Sequence, residues 1–225
     1  METGERDCGI GIVFAGGDGP DPRTLRTVLD GLERCTAVAA DSGLLLAIAA
    51  GVEPDFIVGD MDSLGDETLL SPYPAERVIR HPVDKDLTDT EIALELLGGK
   101  GFERIWIVGG GGGKLSHLLA IRSLFERKRF PLRWITSRED VRCVASGETL
   151  ETAILPGDGV SVLPLGEGPW QAESSGLKWP LNPVNWDRGV AAISNVVVEG
   201  WLRIRALRGR FMVILEGICP QQWQQ

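Results

Sequence analysis

Apolar positions along the 225-residue chain fall into two textures. From Ile10 to about residue 140, short apolar runs alternate with stretches whose apolar residues recur at helical spacing. Ile10–Ala15 reads as a strand ending in Gly16-Gly17-Asp18-Gly19-Pro20. Asp21 then stands at an N-cap with Pro22 at the first helical position, and Leu25, Val28, Leu29 and Leu32 form one face. Thr36–Ala40 is a second strand closing on Asp41-Ser42-Gly43, and Leu44–Ala50 a short helix stopped by Gly51. Asp55–Val58 is a third strand, running into Gly59-Asp60-Met61-Asp62-Ser63, and Arg77–His81 a fourth. Thr88 and Glu91 have capping-box spacing ahead of a helix through Leu97, with Ile92, Ala93, Leu96 and Leu97 inward. Strand Arg104–Val108 precedes a run of glycines, Gly109–Gly113, then a helix over Lys114–Lys128 and a strand over Leu132–Thr136. This alternation predicts an α/β N-terminal domain, a mostly parallel sheet flanked by helices.

Beyond residue 140 the helical spacing disappears. Val141–Ala145, Thr149–Leu155, Gly159–Leu163, Gly189–Ser194, Trp201–Ala206 and Phe211–Leu215 are short β-like runs separated by Gly, Pro, Asn and Asp. That pattern predicts a C-terminal all-β domain, sandwich or barrel-like. The expected division is residues 1–140 and 141–225. Five tryptophans lie in the second part (Trp170, Trp179, Trp186, Trp201, Trp223), and core packing is the expectation for Trp106, Trp134 and Trp201.

Composition narrows the class. Apolar residues make up 43% and charged residues 24%, the proportions of an ordinary globular protein. A net charge of −9 argues against a sequence-independent nucleic-acid binder, which needs a basic stripe. Cys8, Cys35, Cys143 and Cys219 are scattered, so neither a zinc site nor a disulfide framework follows. Met1–Gly9 carries acids and a base ahead of the first apolar run, unlike a signal peptide. No apolar stretch approaches the ~20 residues of a membrane span. The expectation is a cytoplasmic chain with reduced thiols and no membrane partner.

In an open α/β sheet, ligands sit beyond the carboxyl ends of the strands. Asp41 follows the second strand, Asp60 and Asp62 the third, Asp86 and Asp89 the fourth, and the glycine run the fifth. If the chain stays extended, Asp60 and Asp62 present two carboxylates on one side. Like charges that close call for a cation, and oxygen ligands suit Mg²⁺. Taken alone, the stretch reads equally as a polar turn. Acidic loops beside glycine-rich backbone describe a metal–polyphosphate pocket. The P-loop pattern fails at Val108 and Leu115, and the dinucleotide pattern fails at Lys114. No G-x-S-x-G element is present. His117 reads by pattern as a helix-surface histidine, and Arg122, Arg127, Lys128 and Arg129 as a solvated helix end.

Asp41-Ser42-Gly43, Pro54–Ser63 (PDFIVGDMDS), Lys85-Asp86-x-Thr88-Asp89 and Gly112–His117 (GGKLSH) resemble, in order and spacing, the motifs of thiamine pyrophosphokinases. Gly176–Leu181 (GLKWPL) and Ile193–Asn195 (ISN) resemble that family's thiamine-binding β domain. The resemblance implies transfer of a pyrophosphoryl group from ATP to the hydroxyl of thiamine, releasing AMP, with Mg²⁺, by a homodimer whose site lies between subunits. By matching positions, Asp60, Asp62 and Asp86 would hold metal and pyrophosphate, with Asp41 and Asp89 beside them. Lys85 and Lys114 would meet phosphate oxygens. Gly16, Gly17, Thr88, Gly112, Gly113 and His117 would line the nucleotide. Trp179 would stack on the pyrimidine of thiamine, with Ser194 and Asn195 at the ring edge.

The family's glycine motif usually reads GGR-x-DH, with an asparagine four residues beyond the histidine. Here Lys114 replaces the arginine, Ser116 the aspartate, and Ile121 occupies the asparagine position. Lysine lacks the bidentate fork of arginine. The departures leave open a different nucleotide donor, a related heterocyclic alcohol as acceptor, or a thiamine binder with weakened catalysis.

Overall fold

The computed structural model describes residues 9–32 and 34–217, so Cys8, Cys219 and Trp223 lie outside the described residues. The chain forms two compact units, the first ending at Ile121 and the second beginning at Arg122.

The first unit holds five parallel strands, β1 (Ile10–Ala15), β2 (Cys35–Ala40), β3 (Phe56–Gly59), β4 (Val78–Arg80) and β5 (Arg104–Gly109). They lie in the order β5-β1-β2-β3-β4. Every residue of β1 is buried, although alternate side chains point to opposite faces, so both faces are covered. The helices are α1 (Pro22–Leu29), α2 (Gly43–Ala49), α3 (Asp89–Gly99) and α4 (Leu115–Leu124), the last crossing the unit boundary. Asp21 caps α1 through the N–H groups of Arg23 and Thr24, with Pro22 at the first position. Thr88 and Glu91 cap α3 reciprocally. Close packing relies on missing side chains: Gly11 gives Leu97 of α3 its place on β1, and Gly43 lets the start of α2 rest on the carbonyl of Phe14. α4 stops four residues short of its expected end, and hydrogen bonds back three residues from Phe125, Glu126 and Arg127 tighten the chain into a turn.

Register sets where the loops emerge. Ala15 lies beside Ala40 and Gly109, Ala40 beside Val58, and Gly59 beside Arg80. The five carboxyl ends are level, and the loops after them share one edge. The strand order reverses between β1 and β5, so the two glycine-rich loops flank the switch point.

The second unit is antiparallel. β6 (Arg133–Ile135), expected to continue the α/β alternation, pairs antiparallel with β7 (Glu139–Val144). With β9 (Gly159–Leu165), β11 (Ala192–Val196) and β13 (Arg210–Glu216) it forms the order β11-β9-β13-β7-β6. A second sheet has the order β10-β12-β8, from β8 (Thr149–Ala153), β10 (Gln171–Ser175) and β12 (Trp201–Arg208). Val160, Val162, Phe211 and Val213 of one sheet meet Leu150, Leu202, Ile204 and Ala206 of the other in one core, making a sandwich. Between its buried residues β12 presents Arg203 and Arg205, paired with Glu151 and Glu173 on the neighbouring strands.

The most costly feature of this unit is a buried ionic group. Asp140 accepts paired bonds from Arg133 and Arg142 at 2.7–2.9 Å, and all three side chains are at most 2% exposed. Burial alone would raise the Asp140 pKa, but Arg142 and Arg133 together hold it below the usual carboxylate range. Its stabilising charge is therefore present above that range and is lost as pH falls through the lowered folded value. Asp140→Asn strands two buried guanidiniums and should cost about 3–5 kcal/mol at neutral pH. In urea unfolding across a pH series, the deficit should shrink as the wild type is acidified below the carboxylate range.

Candidate active site

Asp41, Asp60 and Asp89 reach the carboxyl edge from three elements, and their carboxylate oxygens lie within 4.8 Å of one another. Asp41 follows β2, its N–H extending the ladder to the carbonyl of Val58 at 2.8 Å. Asp60 follows β3. Asp89 opens α3, which packs across β1, β2 and β3 and brings its first turn over their ends. Gly59 makes the convergence sterically feasible: it has φ +144°, and a Cβ there would press on the side chains of both Asp41 and Asp89.

Two backbone positions here are left-handed without being glycine, Asp41 with φ 48° and Met61 with φ 69°. Met61 drops its side chain into a cluster with Leu44, Ile57 and Leu64. The chain from Asp60 to Asp62 is consequently bent, not extended, and the N–H of Asp62 donates to Asp60 Oδ1 at 3.2 Å. Strained residues of this kind gather at sites where geometry outweighs local stability.

The electrostatics differ within the group. Burial raises the pKa of Asp41, and the charges of Asp89 and Asp60 add to the effect. Its Oδ1 is buried without a hydrogen-bond partner. Asp60 is lowered, chiefly by the Asp62 N–H and then by the Lys85 ammonium. Lys85 Nζ stands 3.1 Å from Asp60 Oδ2 and 3.1 Å from Asp89 Oδ1. Three hard carboxylates and one orphaned buried oxygen form a donor set that fits Mg²⁺.

Of the carboxylates expected to hold metal, Asp60 enters this group. Among the described residues Asp62 and Asp86 do not. Asp62 is exposed and accepts the hydroxyl of Ser63 at 3.0 Å. Asp86 lines an adjoining cavity of about 510 Å³, together with His81, Lys85, Glu95 and the apolar Val58 and Ile79. Asp89 takes the place beside Asp60, because the cap of α3 aims the first helical residue at the strand ends. Thr88 is occupied as that cap: its hydroxyl and its N–H both donate to Glu91 Oε2 at 2.8 Å.

The two glycine loops form one structure. Asp18 N donates to Gly111 O at 2.8 Å and Gly111 N to Asp18 O at 2.9 Å, a bridge across the switch point. A side chain at Gly16 would strike Ser42, one at Gly17 the Gly111 carbonyl, and one at Gly112 the Asp18 carboxylate, so all three positions require glycine. Gly113 is exposed and would accept a side chain with no more than ordinary contact to the Gly111 carbonyl, and Lys114 and His117 are exposed beside it. Backbone N–H groups at such a crevice suit phosphate oxygens. Asp18 was not singled out as a site residue by the sequence, where a polar residue between glycines was its only signal, and Ser42 appeared there only within the Asp41-Ser42-Gly43 motif.

In the second unit, Trp179 is 53% exposed. Asn195 does not reach outward with it. Its side chain, 4% exposed, accepts the Trp179 N–H at 3.1 Å and donates to the Trp179 carbonyl at 2.6 Å. It imitates a strand neighbour and fixes the backbone beneath the indole. Lys178 Nζ lies 4.6 Å from the indole centroid. Ser194 is exposed, left-handed at φ 58°, and its N–H donates to Ser161 Oγ at 3.3 Å.

A family model described as "Thiamin pyrophosphokinase, catalytic domain" matches residues 32–133. The chain is 27% identical over 196 residues to a thiamine pyrophosphokinase of Bacillus subtilis, covering 83% of this chain and 89% of that protein. The crystal structure of thiamine pyrophosphokinase from Bacillus subtilis superposes with a TM-score of 0.74 at 25% identity, over 93% of this chain and 99% of the other. That of thiamin pyrophosphokinase from Geobacillus thermodenitrificans gives 0.70 at 27% identity, over 93% and 97%. With its motifs on the strand ends where an α/β sheet binds ligands, and its β sandwich behind them in sequence, the chain is similar in sequence and fold to thiamin pyrophosphokinases.

Proposed function

We propose that this chain transfers the pyrophosphoryl group of ATP to the hydroxyl of thiamine, giving thiamine diphosphate and AMP. The observation that carries the reading is the convergence of Asp41, Asp60 and Asp89, with an orphaned buried oxygen, beside bridged glycine loops. Asp41, Asp60 and Asp89 would hold Mg²⁺, with Asp62 and Asp86 placed to meet it through water or the phosphate chain. When bound, the ion neutralises charge on the transferred group and its leaving oxygen.

The chain's own residues supply the remainder by positioning. Glycine-loop N–H groups around Gly16, Gly17, Gly112 and Gly113 hold phosphate oxygens, Lys114 adds a charge, and His117 borders the nucleotide. An oxygen–phosphorus bond forms between the thiamine hydroxyl and the β-phosphorus of ATP as the bond to the α-phosphate oxygen breaks. Such a reaction needs alignment and charge compensation more than a nucleophilic side chain. Trp179 offers its indole face to the cationic thiamine, Ser194 sits at the ring edge, and Asn195 holds Trp179 in place. We assign nucleotide chemistry to the first unit and thiamine recognition to the second, in a cytoplasmic homodimer without nucleic-acid or membrane partners. None of the described helices is long and apolar enough to cross a membrane.

Incubation with thiamine, ATP and Mg²⁺ should yield thiamine diphosphate and AMP in equal amounts, identified by chromatography. ADP as the nucleotide product would rule out this transfer, and a panel of nucleotides tests whether Lys114 and Ser116 alter the donor. Trp179→Ala should raise the thiamine KM by roughly 2- to 30-fold with kcat nearly unchanged, the effect of losing a cation–π contact. An unchanged KM would return Trp179 to a packing role.

A further inference from the structure

Lys85 bears the opposite charge and touches two members of the carboxylate group. Its ammonium lies equally far, 3.1 Å, from Asp60 and from Asp89, and its side chain is 14% exposed. Three carboxylates against one ammonium leave the group doubly negative. A divalent ion would balance that charge, but its ligand oxygens must close to about 2.0–2.1 Å around it. Asp60 Oδ2 and Asp89 Oδ1 both face Lys85. Metal and ammonium therefore compete for one place.

The surroundings offer the lysine a second position. The cavity of about 510 Å³ that Lys85 lines also holds Asp86 and Glu95, so the long side chain has room to swing without moving the strand ends.

We propose that Lys85 is a built-in counter-ion that holds the carboxylates together until a divalent cation displaces it. This rests on the reading of Asp41, Asp60 and Asp89 as a metal site. Lys85 then acts as a positioning residue: it keeps the like charges from springing apart and lowers the affinity for metal that arrives without an anion.

The test uses the full chain and Mn²⁺ alone, with binding followed by electron paramagnetic resonance of the free ion. Lys85→Met should bind Mn²⁺ at least about tenfold more tightly than wild type, because one competing positive charge is gone. Lys85→Gln, which keeps a hydrogen-bonding tip without the charge, should tighten binding as well. Unchanged or weaker binding in these variants overturns the proposal. Asp60→Asn serves as the site control. If all lysine variants bind like wild type and Asp60→Asn abolishes binding, the metal site stands and the role of Lys85 falls. If wild type and lysine variants alike fail to bind Mn²⁺ at millimolar concentration, both fall. In the unaltered chain, the Lys85 ammonium resonance in an ¹⁵N-lysine spectrum should broaden into solvent exchange as Mg²⁺ saturates. A resonance that persists unchanged at saturation also overturns the proposal, and this readout does not depend on any variant folding.

Discussion

Repulsion among carboxylates is the constraint that the first unit is built to withstand. At a separation within 4.8 Å, each pair of ionised groups repels by roughly 3–4 kcal/mol at an effective dielectric of 20. Nothing local to any one of these aspartates makes the approach favourable. It persists because each is pinned by something stronger: Asp41 by the β2–β3 ladder, Asp60 by the buried Met61 beside it, Asp89 by the capping box of α3. Lys85 offsets part of the repulsion. The hydrophobic sheet beneath, fully buried along β1, supplies the rigidity.

The same economy governs the glycine loops and the aromatic platform. Gly16, Gly17 and Gly112 exist where backbone must approach backbone or a neighbouring side chain, and the Asp18–Gly111 bridge turns two loops into one surface. In the second unit Trp179 leaves its indole half in water, an arrangement that hydrophobicity opposes. Asn195 makes it stable by treating the Trp179 backbone as a missing strand. In both units a group sits in a locally unfavourable place, and a buried or hydrogen-bonded neighbour holds it there.

Sequence pattern was a good guide where local chemistry decides structure. The strand runs, Asp21 and Pro22 at the start of α1, and the Thr88–Glu91 box all appear as read, and so does the gathering of acidic loops at one sheet edge. It failed where partners distant in sequence decide. β10 escaped notice because Gln171–Ser175 is polar and buries only Ala172, as an edge strand does. β6 looked like one more α/β strand, yet its direction is set by β7. The alternation argument paired Asp60 with Asp62, but burial of Met61 bends that segment into a left-handed turn and leaves Asp62 exposed. That Asp89 stands with Asp41 and Asp60 follows from the cap of α3, which aims the first helical residue at the strand ends and cannot be told from spacing alone. That Asn195 holds the Trp179 backbone shows only once its partner, sixteen positions earlier, is known.

The departures from the family's glycine motif take on a physical meaning in this light. Ile121 is 6% exposed, so at that position the chain has exchanged a polar residue for core packing rather than altered a surface that faces a ligand. Ser116 and Lys114 are exposed at the start of α4, where a lost carboxylate or a changed cation leaves the strand ends undisturbed. The carboxylate group draws on β2, β3 and α3 alone. The start of α4, where Lys114 and Ser116 depart from the glycine motif, contributes nothing to that group. Changes there leave the convergence of Asp41, Asp60 and Asp89 intact, because the ladder, the buried Met61 and the helix cap that hold it lie elsewhere.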